Sequence, residues 1–210
     1  MRIIIKISGE FLNNEDIISR TAFIINDLFN KGHKIGVVIG GGNLVRGRDH
    51  SDKRSEFDII GMYSTVINGL VLKMMINNSK IINSFSLAML DDAKKEEIEN
   101  SILIFTGGLG VPYFSTDTAA VVRALDIGAD LILKSTKVDG VYDRDPSIEG
   151  AKKYDKLTYG EVLSNRLNAI DLTAASLALT HNKKMVIFDG TNPDNIYKAI
   201  EEEIGTVIEA

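Results

Sequence analysis

Ile3-Ile4-Ile5-Lys6-Ile7-Ser8-Gly9 decides how the chain is read. Isoleucines surround one lysine with no polar alternation, the pattern of a strand covered on both faces within a parallel sheet. The run stops at Ser8-Gly9. From about Asp16 to Lys31 the apolar positions Ile17, Ile18, Phe23, Ile24, Ile25, Leu28 and Phe29 follow the roughly 3.6-residue repeat of an amphipathic helix, and Gly32 supplies its stop. Ile35 to Ile39 is a second buried strand, broken by Gly40-Gly41-Gly42, and a longer amphipathic segment runs from about Asp58 to Asn77. The alternation continues with Ile81-Ile82, a charged helix near Asp91 to Glu99, the strand Ile102 to Phe105, the turn Gly107-Gly108, a helix from about Thr116 to Ile127, and the strand Leu131 to Leu133. Asp139 to Pro146 reads as a turn leaving the sheet, since Asp-Gly and Asp-Pro both favour turns. Helices near Tyr159 to Ser164 and Leu172 to His181, the strand Met185 to Phe188, a helix from Pro193 to Glu203 and the strand Thr206 to Ile208 complete the pattern. It predicts an α/β fold with a mostly parallel sheet, helices on both faces, and ligands at the carboxyl ends of the strands.

Composition narrows the function. The 210 residues are 44% apolar and 25% charged, with 18 glycines, three prolines, no cysteine and no tryptophan, which excludes low-complexity architectures. This length permits one large α/β domain or two small ones; the unbroken alternation favours a single domain over residues 1–210. Lys and Arg number 24 against 29 Asp and Glu, a net charge of −5 with no basic cluster, so a nucleic-acid partner is not expected. No uninterrupted apolar stretch approaches the roughly 20 residues that cross a bilayer, so neither a membrane partner nor export is expected. Without cysteine there is no disulfide or thiolate metal site, and His33, His50 and His181 are scattered, so a structural zinc site is not expected and the cytoplasm is the expected compartment.

Three strands end in glycine-bearing turns: Lys6-Ile7-Ser8-Gly9, Gly40-Gly41-Gly42-Asn43 and Thr106-Gly107-Gly108-Leu109-Gly110. Exposed amides at such turns favour phosphate, although tight strand-to-helix connections also use glycine. Neither G-x-x-x-x-G-K-[ST] nor G-x-G-x-x-G is completed, which disfavours a Walker-type ATPase and a dehydrogenase. Lys6 lies in an apolar run, so its ammonium either reaches solvent at the strand tip or meets an anion such as phosphate. Ser115-Thr116-Asp117 opens a helix, where capping explains it, and Asp171 before Leu172 is equally a cap. Both positions also place carboxylates in a strand-end crevice near Lys6. The Asp91 to Glu99 run reads as a solvated face, and Met62, Met74 and Met75 as core or subunit interface.

Four segments carry a resemblance. Lys6-Ile7-Ser8-Gly9-Glu10, Val37 to Asn43 with Arg46-Gly47, Phe114 to Ala120, and Lys134 to Tyr142 with Asp145-Pro146 resemble, in order, the uridylate (UMP) kinases of the amino-acid-kinase superfamily. Leu157-Thr158-Tyr159, Glu161-Val162-Leu163, Ile170-Asp171-Leu172 and Gly205-Thr206-Val207-Ile208 fall where that family has similar sequence. The resemblance implies a three-layer α/β/α sandwich of the carbamate-kinase type and transfer of phosphate from ATP to UMP in pyrimidine nucleotide biosynthesis, with Mg²⁺ carried mainly by the ATP phosphates. The N-terminal part would serve UMP and the phosphates, and the C-terminal part ATP. It implies catalytic roles for Lys6, Asp117 and Asp171. Lys6, Ser8, Gly9, Gly42 and Arg46 would line the ATP phosphates, with Thr136, Tyr142 and Asp145 around adenine and ribose. Gly41, Asp58 and the segment Gly110, Val111, Pro112, Tyr113, Phe114, Ser115 and Thr116 would form the UMP site, Asp58 accepting hydrogen bonds from sugar hydroxyls. By the same resemblance the chain would form a hexamer built as a trimer of dimers, with the Asp58 to Asn77 helix as a dimer face, and UTP would inhibit it.

Two features depart from that family. The stretch from Arg48 to Asp58 is short, and Leu109 and Val111 stand where bacterial members usually have polar residues. Two rivals remain: another small-acceptor kinase of the superfamily, for carbamate, acetylglutamate or aspartate, and a non-catalytic nucleotide-binding storage or regulatory protein on the same fold.

Overall fold

In the computed structural model, residues 1–85, 97–168 and 170–210 are described, Arg48 by its backbone alone. Their centre is β1 (Arg2–Ile7), flanked in parallel by β2 (Lys34–Ile39) and β5 (Leu131–Thr136). The eight-stranded sheet has the order β3-β4-β2-β1-β5-β9-β10-β8. Here β3 is Ser79–Asn83, β4 Ile102–Thr106, β8 Lys156–Thr158, β9 Met185–Asp189 and β10 Thr206–Glu209. Neighbours run parallel except β9 and β10, so the final strand and β8 beside it are reversed relative to the rest.

Side-chain alternation along the strands builds two cores. Ile3, Ile5 and Ile7 join Ile35, Val37 and Ile39 under α1 (Glu15–Asn30) and α6 (Asn195–Ile200), with Leu72 of α2 (Arg54–Met75). Ile4, Val38 and Ile132 face the other way, towards α3 (Thr116–Asp126), α4 (Tyr159–Ser164) and α5 (Leu172–Thr180). This second layer is lined with small side chains: Ala119, Ala120 and Ala124 on α3 and Ala174, Ala175 and Ala178 on α5 are all buried. Helices without bulk on their inner side lie close to the sheet and to each other, and α3 and α5 pack together.

Helix starts follow local chemistry. Asn14 accepts the Ile17 amide, and Thr158 with Glu161 forms a reciprocal capping box. Three expectations change. The long helix begins at Arg54 rather than near Asp58. The Asp139 to Pro146 excursion rises into an antiparallel ribbon, β6 (Val141–Tyr142) with β7 (Lys153–Tyr154), whose two-residue strands are too short to show periodicity. Of the expected helix Pro193 to Glu203, only Asn195–Ile200 is regular α-helix. Within the Asp91 to Glu99 run, Glu97–Glu99 is a 3₁₀ turn and residues 91–96 lie outside the described residues. The segment Ser51–Met75 is long and apolar enough by length and composition to cross a membrane, a property scattered polar residues conceal in a search for uninterrupted runs. Its inner side nevertheless carries buried Ser64, Thr65 and Asn68.

Candidate active site

The alternation that buries Ile4 also turns Lys6 towards α3, and the β1–β5 register sets Lys134 directly beside it. Neither ammonium reaches open solvent: their side chains are 13% and 10% exposed. Between them stands Asp117 in the first turn of α3, its Oδ1 3.0 Å from Lys6 Nζ and its Oδ2 2.6 Å from Lys134 Nζ. Burial alone would raise the Asp117 carboxyl, but Lys134 and Lys6 outweigh it and hold the group well below the ordinary carboxylate range. Burial lowers the Lys134 ammonium, Asp117 partly restores it, and Lys6 lowers it again. Two cations thus share one carboxylate at the strand tips, and Asp171 also acts on Lys134 from further off.

A second layer of bonds holds Asp117 in place. Ser115 caps α3, its hydroxyl accepting the amides of Asp117 at 2.9 Å and Thr118 at 3.2 Å. The same hydroxyl donates to Asp171. Asp171 also accepts from Thr118 Oγ1 at 3.2 Å and caps α5 through the Ala174 amide at 2.9 Å. The capping reading is therefore correct for Ser115 and Asp171, while Asp117 lies in the first turn and its carboxylate is committed to the two lysines.

The glycine turns gather at the same edge. A Cβ at Gly9 would stand 2.4 Å from the Gly40 carbonyl oxygen, so the first two turns touch backbone to backbone, which only glycine permits. From α2, Asn68 donates to the Gly40 carbonyl at 2.7 Å and exchanges amide bonds with Asn43, while Thr65 accepts the Gly107 amide at 2.6 Å. One helix thus fixes two of the three turns. Glu10 links Arg46 to Lys137 across the mouth.

Two cavities open on this cluster. The larger, about 580 Å³, is lined by Lys6, Ser8, Gly9, Gly41, Gly42 and Arg46 together with Asp58, Val111, Phe114, Ser115, Thr116 and Asp117. Gly110, Pro112 and Tyr113 belong to the same loop but stand outside that wall. Tyr113 is exposed, and its amide donates at 2.8 Å to Asp58 Oδ2, which also accepts Arg54 Nε at 2.7 Å. The smaller cavity, about 350 Å³, brings Thr136, Tyr142 and Asp145 together with Asn165, Arg166 and Asn168. Tyr142 donates to Asp139 at 2.7 Å, and Asp145 accepts the amide and hydroxyl of Ser147 at 2.9 and 2.6 Å. Lys134 and Thr136 line both cavities.

Sequence reasoning passed over Lys134, Thr65, Asn68, Glu10 and the segment from Asn165 to Asn168 as site residues. Lys134 gave a weaker signal than Lys6, a charge just past the apolar run Leu131 to Leu133, and Thr65 and Asn68 were polar interruptions of an apolar helix.

The model of the Amino acid kinase family matches residues 1–189. A uridylate kinase of Actinobacillus pleuropneumoniae serotype 5b is 38% identical, covering 99% of this chain and 97% of that protein. A uridylate kinase of Haemophilus ducreyi is also 38% identical, covering 95% and 93%. Among solved structures, a UMP kinase from Bacillus anthracis superposes with a TM-score of 0.87 at 29% identity, covering 99% of this chain and 95% of that one. A UMP kinase from Ureaplasma parvum gives 0.86 at 32% identity, covering 100% and 99%. The strand order, the paired strand-tip lysines and these likenesses agree: the chain belongs to the amino acid kinase family, among its uridylate kinases.

Proposed function

We propose that the chain transfers the γ-phosphoryl group of ATP to UMP, yielding UDP. The observation that carries this reading is the meeting of two cavities at Lys134 and Thr136, beside two ammoniums that share one carboxylate. Two polyanions brought end to end need fixed positive charge at the junction. The names of the relatives favour UMP as acceptor over carbamate or an amino acid.

The phosphate of UMP is already anionic at neutral pH, so no residue has to remove a proton from the nucleophile. Catalysis then reduces to alignment and charge neutralisation. Lys6 and Lys134 steady the charge on the transferring group, and Asp117 holds both ammoniums in place. Ser8, Gly9, Gly42 and Arg46 receive the donor phosphates; Thr136, Tyr142 and Asp145 hold adenine and ribose. Gly41, Asp58 and the loop from Gly110 to Thr116 take UMP. Asp171 acts through Ser115 and Thr118, fixing the start of α3. Among the described residues no cluster of three or more carboxylates or imidazoles is arranged to hold a metal. Mg²⁺, carried mainly by the ATP phosphates, would neutralise part of their charge.

Ile60, Tyr63, Ile67, Leu70 and Met74 are exposed along the outer side of α2. So continuous an apolar stripe supports self-association through this helix, in dimers that build a hexamer. The enzyme would act in the cytoplasm, in pyrimidine nucleotide biosynthesis, with UTP as an inhibitor. ADP release measured with ATP, Mg²⁺ and a panel of UMP, CMP and amino-acid acceptors tests the reading. UMP-dependent turnover is expected. Turnover of an amino acid without UMP would overturn the choice of acceptor, and nucleotide binding without turnover would favour the storage-protein rival.

A further inference from the structure

Gly205-Thr206-Val207-Ile208 takes no part in the chemistry above, yet Thr206 is fully buried and its hydroxyl has two partners outside its own strand. It accepts the Val141 amide at 2.8 Å and donates to the Tyr154 carbonyl at 2.5 Å. Val141 and Tyr154 face each other across the β6/β7 ribbon, so one hydroxyl on β10 bridges both strands at the ribbon's root. A ribbon of two short strands holds no fixed position by itself in water. What it carries matters: Tyr142, Asp143, Arg144 and Asp145 form a wall of the smaller cavity.

The junction is built for close approach. A Cβ at Gly140 would stand 2.5 Å from Thr206 Oγ1. Gly205, at φ +89°, lies where a Cβ would stand 2.4 Å from the Ile187 carbonyl oxygen, which seats Thr206 tightly against β9. Behind Thr206, the amide of Val207 donates to the Asp155 carbonyl at 2.9 Å, joining the same strand to the segment that leaves the ribbon.

We propose that Thr206 is a positioning residue for the phosphoryl donor: its hydroxyl seats the ribbon on the central sheet and thereby sets the affinity of the smaller cavity for ATP. This rests on reading that cavity as the ATP side. A valine at 206 keeps the shape but leaves the Val141 amide and the Tyr154 carbonyl buried without their partner, whereas serine keeps the hydroxyl.

The test uses the full chain as wild type, Thr206→Val and Thr206→Ser. KM is measured for ATP and for UMP, ATP binding is measured by calorimetry without UMP, and amide exchange is followed at Val141. Thr206→Val is expected to raise both the KM and the Kd for ATP about tenfold, with the UMP KM changed less than about twofold, and Thr206→Ser to restore wild-type values. Unchanged ATP affinity, a parallel rise in both KM values, or failure of serine to restore would overturn the proposal. If the valine variant does not fold, wild-type exchange decides: slow exchange of the Val141 amide, slower still with ATP, supports the clamp, and rapid exchange overturns it. Lack of UMP phosphorylation would strike the kinase reading, while calorimetry with ATP would still judge Thr206.

Discussion

Replacing Lys6 by methionine separates catalysis from folding. Lys6 and Asp117 stand 3.0 Å apart, which at an effective dielectric of about 20 is a gross attraction of about 5.5 kcal/mol. Two terms oppose it: burial of the ammonium, and repulsion from Lys134, which shares the carboxylate at 2.6 Å. Methionine removes all three and leaves Asp117 and Lys134 as a matched pair, so stability should change by no more than about 1 kcal/mol. The transferring phosphoryl group loses one of its two fixed cations, and kcat should fall about tenfold to thousandfold, or about 1.4 to 4 kcal/mol in the barrier. Lys134, freed of a neighbouring cation that lowers it, should become harder to deprotonate. The assay couples ADP release to a spectroscopic signal at saturating ATP and UMP, with thermal unfolding measured on the same samples. A kcat within about threefold of wild type, or a loss of activity accompanied by a fall of more than about 10 °C in Tm, would refute the reasoning.

Asp117→Asn should behave oppositely, costing about 3 to 5 kcal/mol of stability because two buried ammoniums lose their shared partner; denaturant unfolding reads this. The Asp117 carboxyl is lower in the fold than its ordinary 3.8, so its contribution is full above that value and disappears as pH falls below it. From about pH 4 downward, wild type should therefore lose stability more steeply than Asp117→Asn, checked by denaturant midpoints between about pH 5 and about pH 2. Gly9→Ala forces the first two glycine turns apart, because its Cβ would meet the Gly40 carbonyl oxygen at 2.4 Å; kcat should drop at least about tenfold with helix content unchanged by circular dichroism. Leu70→Asp, on the exposed side of α2, should shift sedimentation towards the monomer while the chain stays folded.

The layered architecture was legible because β1, β2 and β4 are short apolar runs punctuated by glycine, each followed by a helical segment, the first with a clear stop at Gly32. Lys6 stood out for the same reason: a charge in an apolar strand needs a partner. Lys134, at the polar end of its apolar run, gave a weaker local signal, and its meaning depends on the β1–β5 register, which places it opposite Lys6. No periodicity within either strand encodes that pairing. Thr65 and Asn68 were hidden differently. Polar residues on the inner side of a helix read as interruptions until the turns they hold are brought beneath them. The reversed course of β10 was equally out of reach, since local pattern states that a strand exists and is silent on its direction. Asp58 illustrates a residue whose position was legible and whose bonds were not: Arg54 and the Tyr113 amide both use its Oδ2, one of the two oxygens it could offer a sugar.

The alanines beneath α3 and α5 act as a spacer of fixed thickness. Asp117 belongs to α3 and the two lysines to the sheet, so the gap across which they meet is gauged by the methyl groups of Ala119, Ala120 and Ala124 several residues away. Enlarging one of these methyls lifts the helix and withdraws the carboxylate from both ammoniums at once. The tolerance of the polar centre is thus inherited from an apolar seam that no substrate ever touches.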